Sequence, residues 1–152
     1  MPGAPCSGLH PTMNPTLSIP ISPGELLDKI TILQIKFARI SNPQQRRNVR
    51  HELDLLTGLW STSALAGGGI ESRPGIEPEV ERLRGELKGI NETLWEIEDA
   101  IRECERDSDF GPRFIELARA VYKTNDRRAA VKRAINETLD STIIEEKSYK
   151  AY

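Results

Sequence analysis

The chain has 152 residues with a formal net charge of −2, 38% apolar and 29% charged side chains, and aromatics at only 5%. This balance is that of a single globular domain, neither disordered nor membrane-embedded. Charges of both signs are interleaved, which argues against the basic face a phosphate backbone demands, and scarce aromatics leave aliphatic residues to fill the core, as helices do best.

The first 15 residues hold four prolines and two glycines, and no charged side chain unless His10 is protonated; they read as a mobile leader, with Met13 offering a second start. They lack both the Lys/Arg start and the apolar stretch of a secretory signal, and no run of about 18 apolar residues follows, so a cytoplasmic protein is expected. Residues 16 to 152 are read as one helical domain. In "TLSIPIS", Leu17, Ile19 and Ile21 alternate with polar residues and Pro20, the pattern of a short extended arm rather than a central strand.

"SPGE" at 22 to 25 carries the signature of a helix start: Ser22 as cap, Pro23 in the first turn and Glu25 three residues on, a capping box. The first helix then shows Leu26, Ile30, Leu33, Phe37 and Ile40 on one stripe and stops before Pro43. Ile32 and Ile35 lie on its other side, with Asp28 and Arg39 between the two. A helix apolar on two sides has neighbours on both, so this one is central or shares an oligomer interface through Ile32, Ile35 and Arg39. The second helix is expected from Pro43 through Val49, Leu53, Leu56 and Trp60, with Leu55 and Leu59 widening the stripe. Glycine-rich residues 66 to 76 form a flexible loop without a phosphate-cradling pattern.

The third helix keeps a strict three-four alternation through Val80, Leu83, Leu87, Ile90, Leu94, Ile97, Ile101 and Cys104, a coiled-coil-type seam. Cys104 on that seam reads as a small buried hydrophobe. The breaker "DSDFGP" at 107 to 112 is short enough to make the next helix, from Arg113 through Leu139, an antiparallel neighbour. The tail "STIIEEKSYKAY" reads equally as more helix or as an arm. The fold expected is all-α: an antiparallel bundle of four principal helices with a long hairpin of helices 3 and 4.

Chemistry-bearing patterns are few. Cys6 and Cys104 belong to no ligand spacing and His10 and His51 are far apart, so neither a metal site nor a cofactor is expected. Glu96 and Asp99 give one ExxD with no partnering acidic pair on a preceding helix, and read as a solvated acidic face. The exception is helix 4. At 100° per residue Arg128 falls inside the arc of Leu117, Val121, Ile135 and Leu139, flanked by Thr124 and Asn125. A guanidinium buried without a partner would cost about 3–5 kcal/mol. Three arrangements answer this. In the first, Arg128 forms a buried pair with Glu or Asp, Asn91, Asn125 and Thr124 completing its bonds; Glu98, beside the helix 3 seam, is the natural counter-charge. In the second, Arg128 with Lys132 or Lys29 makes a pocket for a carboxylate or phosphate. In the third, helix 4 breaks at "KTND" and the cluster is exposed.

The segments "SPGELLDKITILQIKFARI", "LWEIEDAIRECERDSDFGPRFIELARAVYKTNDRR" and "EEKSY" resemble a family of small bacterial proteins known only as a domain of unknown function. The resemblance implies genes placed near glycosyltransferases and tetratricopeptide proteins, and so a tie to surface-polysaccharide assembly. It carries no catalytic residues. The leader before Met13 and the glycines at 67 to 69 depart from the family pattern. The function expected is a non-enzymatic interaction or adaptor module, self-associating or binding another helical protein. Its rival is a small helical enzyme or binder acting on an anionic metabolite.

Overall fold

The computed structural model describes residues 16–63, 65 and 75–148. These contain four helices and no strand: α1 (Pro23–Arg39), α2 (Pro43–Thr62), α3 (Ile76–Asp107) and α4 (Pro112–Thr138). The leader, most of the glycine-rich loop and residues 149–152 lie outside the described residues.

Each boundary has a local cause. Ser22 Oγ accepts from the Glu25 backbone N–H, while Pro23 occupies a first-turn position that needs no donor. Only half of the expected capping box forms this way, because the Glu25 carboxylate is spent on Lys132 instead. Asn42 caps α2 by accepting from the backbone N–H groups of Gln44 and Gln45, both at 3.0 Å. Ser108, in the left-handed region at φ 53°, ends α3, and its N–H reaches back to the carbonyls of Cys104 and Glu105. α4 runs unbroken through Lys123 to Asp126, so the broken-helix arrangement does not occur. It stops before Asp140, also left-handed at φ 51°. Of the two readings of the tail, 141–148 takes the non-helical one.

α1 is the central element, packing against each of the other three helices, which settles the choice its two apolar sides posed. Leu27 and Ile30 are fully buried, and with Leu26, Trp60, Val80, Leu83, Leu87, Ile90, Leu94, Val131 and Ile135 they make one continuous core. Ile35, expected at an interface, is 3% exposed within the chain and cannot face a partner. Ile32 is only half-buried. On α2 the expected widening of the stripe fails: Leu55 and Leu59 stay 56% and 51% exposed, because α1 covers only the Leu53, Leu56 and Trp60 side.

α3 and α4 outgrow α1. At 1.5 Å per residue, 32 residues of α3 span about 48 Å against about 26 Å for the 17 of α1. The last side-chain bond from α1 to α3 is Arg39 to Glu96 at 3.0 Å. Beyond it the two long helices continue as a two-helix arm, its seam of Ile97, Ile101, Phe114, Leu117 and Val121 half-buried and Cys104 fully so. Arg113 ties the tip to Glu103 at 3.0 Å.

At the other end α1 closes on α4 through a glycine. The Gly24 N–H donates to Asn136 Oδ1 at 2.7 Å, and a Cβ at residue 24 would collide with the Lys132 carbonyl and stand 2.9 Å from Asn136 Oδ1. Backbone on one side leaves no route for relief. Gly24→Ala is therefore expected to cost about 1–3 kcal/mol as overpacking. A thermal melt should show this as a fall of about 2–4 °C per kcal/mol for a chain of this size.

Candidate functional site

Asp28 sits one turn into α1 between Leu27 and Lys29 and is 1% exposed, the deepest charge among the described residues. Arg128 meets it side-on: Nε donates to one carboxylate oxygen at 2.9 Å and Nη2 to the other at 2.5 Å. Asn91 of α3 donates to the same Asp28 oxygen at 2.9 Å and to Thr31 Oγ1 at 3.0 Å, and the Thr31 hydroxyl donates to the Asp28 carbonyl at 2.9 Å. Asn125 Oδ1 stands 3.5 Å from Arg128 Nη1. Three helices thus meet on one carboxylate. The hydrogen bonds it donates to Asp28 hold the Arg128 guanidinium even more firmly protonated than usual, against a burial that opposes it.

The expected buried pair exists, but with a different acid. Glu98 is exposed and bonded to Arg102 one turn on, at 2.9 Å, so it is not the counter-charge. A hairpin-only view of α4 and α3 favoured Glu98. The partner instead comes from α1, a hundred residues earlier in the chain, and no local spacing reports that. The available signal was Asp28 itself, a short acid set between the two apolar sides of a helix. Of the other expected members, Asn91 and Asn125 join the cluster, while Thr124 is buried with no bond to Arg128. Lys29 is exposed on α1 and takes no part.

Lys132 heads a second cluster one turn along α4. Its ammonium lies 2.5 Å from Glu25 of α1 and 2.7 Å from Glu145 of the C-terminal segment. Burial pushes the ammonium pKa down, but the bonds to Glu145 and Glu25 outweigh it and leave it raised. The same bond to Lys132 lowers the Glu145 carboxyl below its ordinary range. Arg133 to Glu146 at 2.7 Å and Lys147 to the Asn125 carbonyl at 3.4 Å complete the attachment of 141–148, whose Ile143 and Ile144 remain exposed. Ionic contacts, not burial, hold this segment.

Beside Arg128 the surface opens into a groove of about 520 Å³. Ile32 of α1 and Leu94 and Trp95 of α3 give it an apolar floor, and Glu98, Asp99 and Arg102 stand along its far side. Arg39 lies over Trp95, 5.8 Å from the ring centroid. Among the described residues no group of three or more His, Cys, Asp or Glu is placed to hold a metal ion, and no buried side-chain nitrogen or oxygen lacks a partner.

Two outcomes are expected from these contacts. Asp28→Asn or Arg128→Met alone should destabilise by about 3–5 kcal/mol, since each strands a buried partner, whereas the Asp28→Leu/Arg128→Met pair should recover most of that in urea melts. Glu145 has a lowered folded pKa, so its contribution is complete above the ordinary carboxylate range and fades as pH falls through the folded value. Hydrogen exchange across 141–148 should therefore quicken on acidification before exchange in α1 does.

No helix among the described residues is long and apolar enough to cross a membrane. No curated protein and no solved structure matches the chain. Residues 78–152, which hold nearly all of α3, the whole of α4 and the ion-paired C-terminal segment, match the model of a family of unknown function (DUF6165). The match begins at Pro78, so α1 and α2, and with them Asp28, lie outside it, although the resemblance read from the sequence began at Ser22. By that match the hairpin half of this chain is similar to the DUF6165 family of unknown function.

Proposed function

We propose that the protein is a non-enzymatic helical interaction module of the bacterial cytoplasm, in which the buried ion pair sets the helices and the groove beside it receives another helix. The observation that supports this reading is the saturation of the one deeply buried charge among the described residues. Asp28 takes two bonds from Arg128 and one from Asn91, so the strongest cation near the groove is already neutralised inside the chain. Lys132, the second cation of an anion pocket, is likewise held between Glu25 and Glu145. Residues committed in this way orient helices. They offer little attraction to a free carboxylate or phosphate.

One observation favours the rival, a binder of or enzyme on an anionic metabolite: Arg128 is 27% exposed and lines the groove, and at most three of its five N–H groups are engaged. A thermal-shift series separates the two. A ligand at a hundred times its dissociation constant raises stability by about 2.7 kcal/mol. Inorganic phosphate, citrate and glycerol phosphate at millimolar concentration are expected to leave the melting temperature where an equal ionic strength of chloride leaves it. A rise that Arg128→Lys removes would replace the interaction reading with the metabolite one.

A further inference from the structure

Resting on the interaction reading but not on the groove, we propose that the corner where α1 gives way to α2 docks an acidic segment of a partner protein, whose carboxylates are received by Arg46 and Arg50 on the ring of Phe37. The charge sequence points there first. Between Asp28 and Glu52 the chain has no acid, yet it carries Lys29, Lys36, Arg39, Arg46, Arg47 and Arg50, in a protein whose net charge is −2. Two of these cations find a carboxylate within the fold: Arg39 bonds Glu96 at 3.0 Å and Arg50 bonds Asp54 at 2.9 Å. Lys29, Lys36, Arg46 and Arg47 meet none among the described residues, Arg47 reaching only the Gln44 amide oxygen. The corner therefore keeps positive charge that the fold does not compensate.

α2 holds its bases against its own electrostatics. Its first turn has no acid and its last turn no base, Arg46 and Arg47 follow straight after the first turn, and Glu52 and Asp54 come later, the reverse of the order that a helix dipole favours. Arg46 and Arg50, four residues apart, repel each other along the helix, and Arg50 precedes Asp54 in the poorer of the two orders for such a pair. The stability of α2 alone would be served by the opposite placement. An acidic partner turns this one to advantage.

Phe37 makes a receptor of the two arginines. Their guanidinium carbons stand 4.5 and 5.4 Å from the centroid of its ring, so one aromatic side chain holds both. Stacking fixes the guanidinium planes and spends none of their N–H groups, which leaves Arg46 and the Nη groups of Arg50 able to bond carboxylates bidentately. Both side chains lie against α1 instead of standing out from α2, which suits a protruding polypeptide segment better than the plane of a membrane. Four cations without a carboxylate also fall short of the roughly six to ten phosphate contacts of a nucleic-acid binder.

Fluorescence anisotropy of labelled octaglutamate titrated with the full chain tests the site. Octaglutamate should bind at about 20 mM salt and lose about tenfold or more in affinity at about 200 mM, while octaglutamine should not bind. R46Q/R47Q/R50Q should weaken binding about tenfold with an unchanged circular dichroism spectrum and a melting temperature equal to or above that of the wild type. R106Q/R119Q/K123Q, the same change of charge at exposed positions of the distal arm, should bind as the wild type does. Phe37→Leu, which keeps the charge and an apolar side chain but removes the stack, should weaken binding several-fold. No binding of octaglutamate at low salt overturns the proposal, as does equal loss in the two triple variants or a Phe37→Leu chain that binds like the wild type. Tighter capture by octathymidylate or by phosphatidylserine vesicles than by octaglutamate also overturns it, in favour of a nucleic acid or a membrane. The thermal-shift series reads small anions at Arg128, so a failure here is distinguishable from a failure of the interaction reading.

Discussion

A carboxylate with 1% of its surface in water cannot remain ionised in an aliphatic core unless something returns what hydration supplied. For Asp28 that return is a bidentate guanidinium and an amide, and they come from two other helices. The rest of the arrangement follows from this demand. α1 cannot slide along α4 without separating Nε and Nη2 from their oxygens, and cannot rotate without withdrawing Asp28 from Asn91. A leucine core tolerates such slips at little cost, because one aliphatic contact resembles the next. The planar pairing of guanidinium and carboxylate does not. The ion pair therefore contributes more to register than to net stability, in keeping with the balance between desolvation and attraction for buried pairs.

Around this anchor the chain adds a graded series of weaker attachments. Gly24 lets the α1 terminus approach the α4 backbone closely enough for its N–H to reach Asn136. Lys132 then joins that terminus, through Glu25, to the C-terminal segment, through Glu145. Both pairs are partly exposed and are screened by salt, whereas the Asp28 pair is shielded from it. Firmness thus falls from the core outward, and 141–148 opens first. The distal arm is another region of low firmness, since α1 does not reach it and two helices alone leave their seam half in water.

The groove is a by-product of the same geometry. α1 meets α3 at Asn91 through Asp28 and again at Glu96 through Arg39. Between them Trp95 of α3 and Ile32 of α1, both half-buried, line the groove. The site thus combines apolar Ile32, Leu94 and Trp95 with charged Glu98, Asp99, Arg102 and Arg128 because of how the helices pack.

Much of this was legible in the residues themselves. Pro23, Pro43 and the breaker at 107 to 112 mark helix boundaries through backbone sterics and caps, and the three-four alternation of α3 reports a buried stripe, because both effects act within one or two turns. Arg128 was readable as an inward cation for the same reason: its place on the helical wheel depends only on its neighbours in sequence. Its partner was not. Asp28 and Arg128 are a hundred positions apart, and whether α1 or α3 supplies the acid depends on how three helices pack, which no local pattern encodes. Likewise Ile32 and Ile35 look alike on a wheel, yet the packing of the helices buries the second and leaves the first at the groove. Sequence periodicity determined which faces must be covered; the tertiary structure decided what covers them, because that choice is made by contacts between elements far apart along the chain.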